Sequence, residues 1–597
     1  MKTKKRMPSP NSVMSGLRKS FLGIMTLLLF SNTQVNAQCS TLPGTVTLPL
    51  GTVNWNVGTS RVKSVIVPNG CTLNITAPQN MSPGITITIN IGGTVNLNSG
   101  GVLQACNVSW GGIIVNGNAA AAQAGTNQGR ININGTGTIK HANLAVDVDG
   151  GGVIITNGGF FIDNKEAVSM DPYSIATPPS VTNNASKFYN TKFEWTVMFP
   201  GTSTFTRHVN LKQVYNIHFG GCIFDNTFTG NQNPSIRGIG IESMEASIFC
   251  HRLTPATVNG CKAYIGPRTT FTNLLTAIDA RSNVTNTPSR SSRIWQCDFI
   301  NNDHDIFLDK EPSFRIDQNN FTYYEPNALF SPGQTTFIEI NQLQTGVYPS
   351  TGISYNIYNN TFNTFNSIMT EFMRVNNTHS GLRVYKNTFT NSLPVNIANI
   401  FGVVAFGTNT GMNLTCNNFS GFYTTVLQLS GNSPASFGSS TLAAGNVFPG
   451  CANAISHITN FGTASTYFFG TGAGQNPSGC VSGTLTLTAL TLPGQQNTCP
   501  DDLCTVPPRY TANETPLPLN IAVYPNPASQ NITFSANEDV VYRSLTVFDV
   551  SGKIVLEKAP DSEQTLIVDI SALQKGIYFY EIITIDDERV TGKFIKQ

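Results

Sequence analysis

The chain is long, sparsely charged and nearly neutral. It has 597 residues, of which 11% are charged and 40% are hydrophobic, and its formal net charge is +2 at pH 7. Globular proteins usually carry about 25% charged residues, whereas disordered chains are much less apolar than this one. The composition therefore favours a folded protein of several domains or repeats. A net charge of +2 is too small to attract nucleic acid, and no basic stripe interleaved with aromatic residues is present, so we expect no nucleic-acid partner.

The first 37 residues predict a signal peptide. A basic segment precedes the apolar run FLGIMTLLLF, and Val35-Asn36-Ala37 has the small-x-small form of a cleavage site. An apolar run of this length is too short to cross a bilayer. We expect cleavage between Ala37 and Gln38, and no transmembrane segment in the mature protein. Lipidation of Cys39 is disfavoured, because the preceding residue, Gln38, is not small.

All 12 cysteines follow this cleavage point. An even number of cysteines in an exported chain favours disulfides, whose connectivity the sequence leaves open. Cys499 and Cys504 lack the second Cys or His pair that a structural zinc site needs. We therefore expect a small disulfide loop between them, or two bridges to other cysteines, and no metal.

From about residue 40 to residue 490 the sequence is a β repeat. Short alternating runs such as GITITINIGG recur between Gly and Asn clusters, and helical periodicity is almost absent. Further along, an Asn recurs one to three positions before a Phe. The phenylalanines concerned are Phe193, Phe228, Phe321, Phe362, Phe389, Phe419 and Phe448.

The spacing of these phenylalanines predicts a solenoid. Phe362, Phe389, Phe419 and Phe448 are 27, 30 and 29 residues apart, which fits a coil of three short strands. A buried Phe in each coil would stack on the next, and an Asn at the turn would bond the backbone or the Asn one coil along. The pattern resembles the right-handed parallel β-helix repeat family over roughly residues 70–460. A series of β-sandwiches is the alternative.

The β-helix resemblance implies two kinds of enzyme. Many members are polysaccharide lyases, which use Ca²⁺ and an Arg or Lys base, or glycoside hydrolases, which use paired carboxylates. The densest candidate stretch is NNDHDIFLDKEPSFRID, although D-x-D after Asn-Asn is more often a solvated turn. The candidate catalytic residues in it are Asp303, Asp305, Asp309, Lys310 and Arg315. We expect no cofactor, with Ca²⁺ required only if the protein is a lyase.

The last part of the chain has a different composition. Residues 491–518 are rich in Cys and Pro and predict an extended linker. After residue 519 charged residues become about twice as frequent as in the chain overall, and alternating runs such as SLTVFDV and TLIVDI return. These runs predict a small Ig-like β-sandwich of about seven strands in two sheets.

This tail closely resembles the type A C-terminal sorting domain of the type IX secretion system in Bacteroidetes, over residues 519–597. The matching motifs are YPNP, DVSGK, DIS, GIY and GKFIK. The sorting residues that we predict are Tyr524, Pro525, Asn526, Pro527, Gly552, Gly576, Tyr578, Lys593 and Phe594. The resemblance implies recognition by the outer-membrane translocon and removal of the tail by a sortase. The product would then be released or attached to the outer membrane.

The sequence therefore predicts an all-β, exported protein, secreted or displayed on the cell surface. A right-handed parallel β-helix occupies residues 38–490, with an N-terminal cap over about 38–70, and the Ig-like sorting domain follows the linker. We expect the β-helix to be a glycan-binding, adhesin-like or structural module. The alternative is a carbohydrate-active enzyme, a polysaccharide lyase or a glycoside hydrolase, that acts on an extracellular polysaccharide.

Overall fold

The computed structural model is almost entirely β. Short 3₁₀ turns at Gly125–Asn127 and Pro493–Gln495 interrupt the strands. The predicted signal peptide, its cleavage point and residues 500–520 of the linker region lie outside the described residues. The described ranges are 39–123, 125–173, 184–200, 205–228, 237–258, 261–283, 292–324, 334–343, 355–365, 369–378, 380–392, 399–421, 423–451, 454–477, 479–497, 499, 521–536, 542–558, 565–584 and 589–597.

Three parallel sheets, here sheets 1, 2 and 3, form the first part of the protein. The chain passes from sheet 1 to sheet 2 to sheet 3 and then begins the next coil, so each strand pairs in parallel with its equivalent one coil away. The strands of sheet 1 are Thr45–Thr47, Ser64–Val67, Thr86–Ile89, Gly112–Val115, Leu144–Val148, Glu166–Met170, Arg207–Lys212, Ile239–Met244, Thr276–Arg281, His304–Asp309, Thr335–Gln342, Thr370–Asn376, Ile400–Phe406, Tyr423–Leu429, Ala454–Phe469 and Val481–Ala489.

Sheets 2 and 3 share two long strands, Arg130–Lys140 and Val153–Ile162, which run through both. The other strands of sheet 2 are Gly51–Trp55, Cys71–Ile75, Thr94–Leu97, Lys187–Tyr189, Ile217–Gly220, Ile248–His251, Ser292–Trp295, Phe314–Asp317, Tyr355–Tyr358, Ser380–Tyr385 and Gly411–Thr415. The other strands of sheet 3 are Thr59–Arg61, Pro78–Met81, Val102–Ala105, Lys192–Trp195, Ile223–Asn226, Thr270–Thr272, Asp298–Ile300, Asn320–Tyr323, Thr361–Thr364, Thr388–Asn391 and Asn418–Ser420. The short strand Ser436–Phe437 pairs with residues 466–467, and Thr254–Val258 forms an antiparallel hairpin with Cys261–Ile265.

This topology is a parallel β-helix, as predicted, and it excludes the series of β-sandwiches. Parallel pairing begins with Thr45–Thr47, inside the stretch that the sequence assigns to a cap, and its last strand is Val481–Ala489. The alternation of β-branched and polar residues accounts for the strands, because one face of each strand fills the interior of the coil.

A continuous stack of phenylalanine rings fills one side of the interior. Neighbouring rings lie 4.6–6.0 Å apart between centroids and are within 12° of parallel. Each such pair contributes about 0.5–1.5 kcal/mol beyond its buried area. The rings are Phe161, Phe193, Phe224, Phe271, Phe299, Phe321, Phe362, Phe389, Phe419 and Phe448.

One predicted member of this stack is wrong. Phe224, and not Phe228, lies between Phe193 and Phe271. Register decides this, because Phe224 is the inward residue of the strand Ile223–Asn226. Phe228 follows that strand and meets the edge of Trp195 at 6.5 Å.

Buried asparagines join the coils at the corner between sheets 2 and 3. Most of these corners have two residues, of which the first has a positive φ, such as 54° at Asn359. The second residue points inward. The Oδ1 of Asn360 accepts hydrogen bonds from the backbone N–H of Asn319 at 2.9 Å and from its Nδ2 at 3.0 Å. The same contacts recur through Asn387, Asn417 and Asn446, so the predicted asparagine contact between coils is confirmed.

Long connections border sheet 1. Between residues 115 and 355, the connections of ten or more residues between successive strands of the coil begin or end at a strand of sheet 1. The exception runs from sheet 2 to sheet 3 and carries the hairpin at 254–265. Such segments vary without disturbing the stacked interior, and binding residues of proteins are commonly built beside them. Sheet 1 is therefore the face at which this scaffold tolerates variation.

The C-terminal region is a small antiparallel sandwich, as predicted. One sheet contains Ile521–Tyr524, Asn531–Ala536 and Thr565–Asp569, and the other contains Ile554–Lys558, Tyr542–Phe548, Gly576–Thr584 and Arg589–Lys596. Phe534, Val547, Ile582 and Phe594 are fully buried between the two sheets.

The prediction that the cysteines form disulfides is confirmed only in part. The disulfides among the described residues are Cys39–Cys106, Cys416–Cys499 and Cys451–Cys480. Cys499 therefore bonds a distant cysteine and not Cys504, and the sulfur of Cys39 is not available to a lipid. Four other cysteines are free and buried in the solenoid, namely Cys71, Cys222, Cys250 and Cys297.

Substitution of a ladder asparagine is expected to destabilise the solenoid. Asn387→Ala removes the acceptor for the backbone N–H of Asn360 and the amide that donates to the carbonyl of Ile357. Because these groups are buried, we expect the free energy of unfolding to fall by about 2–4 kcal/mol. Asn74→Ala, in a half-exposed asparagine row of sheet 2, should cost less than about 1 kcal/mol. Equal losses in urea unfolding would contradict a structural role for the buried ladder.

Acid is expected to destabilise the solenoid through its buried histidines. Burial lowers the pKa of His208, which lies among Phe193, Phe205 and Phe224, to about 3. An unfolded histidine has a pKa of about 6.5, so the unfolded chain binds the extra proton below that pH. The contribution of neutral His208 is thus complete above pH 6.5 and is lost as the pH falls towards 3.

The measurement compares the wild type with His208→Phe at pH 7 and pH 5. Between pH 6.5 and pH 5 the wild type should lose about 2 kcal/mol more unfolding free energy than the variant, from about 1.4 kcal/mol per pH unit. Other titrating groups cancel in this comparison. An identical pH dependence of the two proteins would show that His208 is not kept neutral by the fold.

Candidate functional site

The outer face of sheet 1 concentrates the charged side chains of the solenoid between residues 147 and 374. Within the described part of the chain it carries nine carboxylates but four lysines and arginines, so its net charge is negative. We call this surface the sheet 1 face. Its acidic residues are Asp147, Asp149, Glu166, Asp171, Glu242, Asp279, Asp309, Glu339 and Glu371, and its basic residues are Arg207, Lys212, Arg281 and Arg374, with His304 among them.

Strand register brings these residues together from distant parts of the sequence. In Thr335–Gln342, Ile338 and Ile340 are buried, whereas Glu339 between them points outward. The register then places Asp279, Phe307, Glu339 and Arg374 side by side on four successive coils. Neighbouring positions in such a row are about 4.8 Å apart. The face is therefore a regular array on a rigid support.

Two ion pairs occupy the N-terminal half of the sheet 1 face. Arg207 pairs with Glu242, and the Nζ of Lys212 lies 3.2 Å from the Oδ1 of Asp171. Burial raises the pKa of Glu166, although the charge of Arg207 partly offsets this effect. These pairs neutralise two of the carboxylates of this half, those of Glu242 and Asp171.

The C-terminal half carries two bidentate pairs. The Nε and one terminal nitrogen of Arg281 contact the two carboxylate oxygens of Asp279 at 2.7 and 2.8 Å. Arg374 contacts Glu371 in the same way, at 2.5 and 2.8 Å. The side chains of Asp279 and Glu371 are only 6% and 3% exposed, so each pair is held in one geometry.

Among the described residues no arginine holds Glu339 through both oxygens, and its side chain, 15% exposed, is more open than those of Asp279 and Glu371. Burial raises its pKa, the charge of Arg374 lowers it, and the charge of Glu371 raises it further. The Nδ1 of His304 lies 3.6 Å from its Oε2, and burial lowers the pKa of that imidazole. A half-buried carboxyl with a raised pKa on an open surface is suited to proton transfer.

Two of the predicted catalytic residues lie in the interior. Asp303 forms a buried ion pair with Arg237, and Asp305 accepts a hydrogen bond from the Nδ2 of Asn302 at 2.8 Å. Burial raises the pKa of both carboxyls, that of Asp305 far above its usual range. Neither carboxyl lies on the sheet 1 face, and Asp303 precedes the strand that contains Asp305.

The other three predicted residues are separated from one another. Asp309 ends its strand on the sheet 1 face and accepts a hydrogen bond from the Nδ2 of Asn341 at 3.1 Å. Lys310 follows at the corner, with a φ of 57°. Arg315 belongs to sheet 2, where it contacts Asp317 at 3.1 Å and covers the ring of Tyr358. Only Asp309 of the predicted set therefore joins the charged array.

Sequence reasoning missed Asp279, Glu339, Glu371 and Arg374. Each is isolated among apolar residues, as in FIEIN and FMRVN, so a search for dense acidic stretches passes over it. The sequence signal that could have revealed them is a charged residue that recurs at the same position in successive predicted strands, as Glu339 and Arg374 do.

The described residues contain one group of potential metal ligands, formed by Cys451, His457 and Cys480. The two cysteines are joined in a disulfide, which leaves the imidazole as the sole ligand of the group. Among the same residues, no helix has the length and apolarity needed to cross a membrane.

In the C-terminal sandwich, the YPNP motif is tied to the final strand. The Oδ1 of Asn526 accepts a hydrogen bond from the N–H of Ile595 at 3.0 Å, and the Nδ2 of Asn526 approaches the carbonyl of Lys593 at 3.5 Å. Phe594, in the same strand, is buried and stacks on Tyr578 at 5.6 Å. The first and last predicted sorting motifs thus form one structural unit.

Of the other predicted sorting residues, Gly552 lies in a turn, and Gly576 and Tyr578 lie in the strand that pairs with the final strand. Gly552 has a φ of 82°, and the Oδ1 of Asp549 caps that turn by accepting hydrogen bonds from the N–H groups of Ser551 and Lys553. Gly576 begins its strand opposite Lys596.

Residues 522–597 match the family described as the secretion system C-terminal sorting domain, Por_Secre_tail. The C-terminal sandwich is a sorting domain. Such a domain indicates export by the type IX secretion system, to the outside of the cell or to its surface.

A comparison with curated proteins finds no match for the chain. Among solved structures, the tailspike protein of E. coli bacteriophage HK620 in complex with a pentasaccharide is similar with a TM-score of 0.40 and 11% identity, over 96% of this chain and 88% of that one. A double mutant of that tailspike gives a TM-score of 0.34 and 12% identity, over 96% and 88%. At these values the likeness carries no argument about function, and the β-helix rests on the strand pairing described above.

Proposed function

We propose that this protein, exported through its sorting domain, binds an extracellular glycan along the sheet 1 face. The observation that supports the proposal is the regular row of hydrogen-bonding and charged groups that the register places on successive coils, bordered by long connections. A surface fixed in advance by its own ion pairs loses little side-chain entropy when a ligand binds.

The charge of the sheet 1 face favours a neutral glycan. Its carboxylates outnumber its lysines and arginines by more than two to one, so a polyanion such as a polyuronate or a nucleic acid would be repelled. A neutral sugar chain offers hydroxyl groups to these paired carboxylates and guanidinium groups without that penalty. This reasoning also favours binding or hydrolysis of a neutral glycan over the lyase alternative.

The length of the sheet 1 face favours a chain over a single sugar. It spans eight strands, from Leu144–Val148 to Thr370–Asn376, which corresponds to about 34 Å along the solenoid at ~4.8 Å per coil. We further propose that a sortase removes the sorting domain after export and that the solenoid then stays at the outer membrane surface or is released.

Blocking the sheet 1 face is expected to abolish glycan binding. Thr276 is half-exposed and lies beside His304 on that face, so Thr276→Trp places a bulky ring over it without removing an ion pair. The matched control is Thr270→Trp, at an equally half-exposed strand start in sheet 3. On a glycan array, we expect at least a tenfold loss of affinity for the first variant, about 1.4 kcal/mol, and none for the second. Equal binding by both variants, or no binding by the wild type, would contradict the proposed function.

Removal of the sorting domain is expected to prevent release from the cell. A chain that lacks residues 519–597 should reach the periplasm and remain there, because the domain that the translocon recognises is absent. Cell fractionation and immunoblotting test this prediction. Normal appearance of the truncated chain outside the cell would refute it.

A further inference from the structure

We propose that two copies of the exported chain associate head to head through the open N-terminal end of the solenoid. The contact is an antiparallel pairing of the strand Gly51–Trp55 with the same strand of a second copy, around a two-fold axis. Such a dimer carries two sheet 1 faces. The inference concerns assembly, and it does not depend on what those faces bind.

The first coil, residues 45–61, leaves the apolar interior of the solenoid open at one end. Val46 and Val53 point inward, because they pair in parallel register with the buried residues Val65 and Leu73. Val46 is nevertheless 45% exposed, and Val53 is only partly buried. An inward side chain at this end lacks the neighbours that a further coil would supply. The end is therefore an uncovered layer of the core.

The surroundings of this end are apolar and uncharged. Leu50 and Val57, at the two corners beside the strand Gly51–Trp55, are 75% and 72% exposed. Residues 39–60 contain no Asp, Glu, Lys, Arg or His. Monomeric proteins commonly protect an open strand edge with charged side chains, lysine above all. This edge lacks that protection, and a second copy meets no charge repulsion there.

The beginning of the exported chain is held away from the open end. Cys39 is disulfide-bonded to Cys106, directly after the third coil, and the N–H of Leu42 donates a hydrogen bond to the carbonyl of Val62 at 2.7 Å. The predicted cleavage leaves only Gln38 before Cys39. One residue spans at most about 3.6 Å, whereas the end lies two coils, about 10 Å, away. The predicted N-terminus is therefore too short to cover the end.

The backbone groups on the open side of this strand match those of a second copy. The N–H of Gly51 and the carbonyl of Trp55 bond to the second coil, at 2.9 and 3.0 Å. Backbone groups alternate in direction along a strand, so those of Thr52 and Asn54 point to the open side. In an antiparallel pair centred on Val53, Thr52 of each copy lies opposite Asn54 of the other, and each such pair exchanges two hydrogen bonds.

The first coil has the symmetry that this axis requires. Its three strands contain three, five and three residues, and three residues form each of the two corners between them. An axis through Val53 therefore brings the corner with Leu50 in one copy against the corner with Val57 in the other. With the segment that enters it, the first coil offers about 20 residues, residues 42–61, which is the lower limit of the ~20–30 residues per partner of a stable interface.

The opposite end of the solenoid is a poorer partner for this surface. There sheets 2 and 3 end at Gly411–Thr415 and Asn418–Ser420, whereas sheet 1 continues to Val481–Ala489. The N-terminal end of another copy can extend only one of the three sheets at that position. Head-to-tail contact would also leave free ends and produce open filaments, whereas the two-fold contact closes on itself.

The test measures the mass of the full exported chain by light scattering, and its dissociation constant by sedimentation, over a range of concentrations. We expect dimers and no larger species. Leu50→Lys and Val57→Lys each add like charges on both sides of the axis and should raise the dissociation constant at least about tenfold. Ile91→Lys is the matched control, because Ile91 is 39% exposed at the corner of sheets 1 and 2 in the third coil, away from the end. It should dimerise as the wild type does.

Hydrogen exchange tests the position of the contact. The amides of Thr52 and Asn54 should exchange slowly in the dimeric wild type and in Ile91→Lys, and rapidly in Leu50→Lys, whose urea unfolding should match that of the wild type. A wild type that is monomeric at every concentration, or that forms species growing beyond the dimer, would overturn the inference. Equal dissociation constants for Leu50→Lys, Val57→Lys and Ile91→Lys would do the same. Glycan binding by a monomer would leave the proposed function intact.

Discussion

Stacking of identical side chains from coil to coil is the constraint on which the solenoid depends. From Phe161 onward one Phe in each coil meets the Phe of the next, and in the later coils one corner Asn meets the next Asn. The earlier coils place Leu103 and Ile139 in the same row. Neither interaction exists within a single coil, so a coil is stable only between neighbours. Because the side chains alternate along each strand, these inward contacts also fix which residues face outward.

The sheet 1 face follows from this constraint. Asp279 and Glu339 are 60 residues apart in sequence, yet the ladder holds them two coils apart in one row. Long connections enter and leave at sheet 1, while the corner between sheets 2 and 3 is short except where it carries the hairpin at 254–265. The molecule therefore combines a repetitive interior edge with an outer face that long connections border, and the bidentate pairs on that outer face have little freedom to move.

The sequence predicts those features of the fold and the site that arise from residues close together in the chain, and misses those that arise from contacts between coils. Asn-x-Phe spacing predicts the β-helix because the repeat is local, but it selects Phe228 over Phe224, since only register shows which Phe points inward. The sorting motifs are recognisable because their turns are made by neighbouring residues, as with Asp549 and Ser551. The charged site is different, because Glu339 and Arg374 meet only through coil-to-coil pairing. Acidic density in the sequence points instead to Asp303 and Asp305, which the fold buries.

The corner between sheets 2 and 3 and the sheet 1 face use their polar groups in different ways. At the corner of sheets 2 and 3, the buried amides of Asn360, Asn387 and Asn417 each find partners within the fold. On the sheet 1 face, charged groups instead pair with one another on the outside of the coil, as Arg207 does with Glu242 and Arg374 with Glu371. The stacked interior supplies the stability that allows sheet 1 to carry these charged pairs, and sheet 1 is accordingly where we place the ligand.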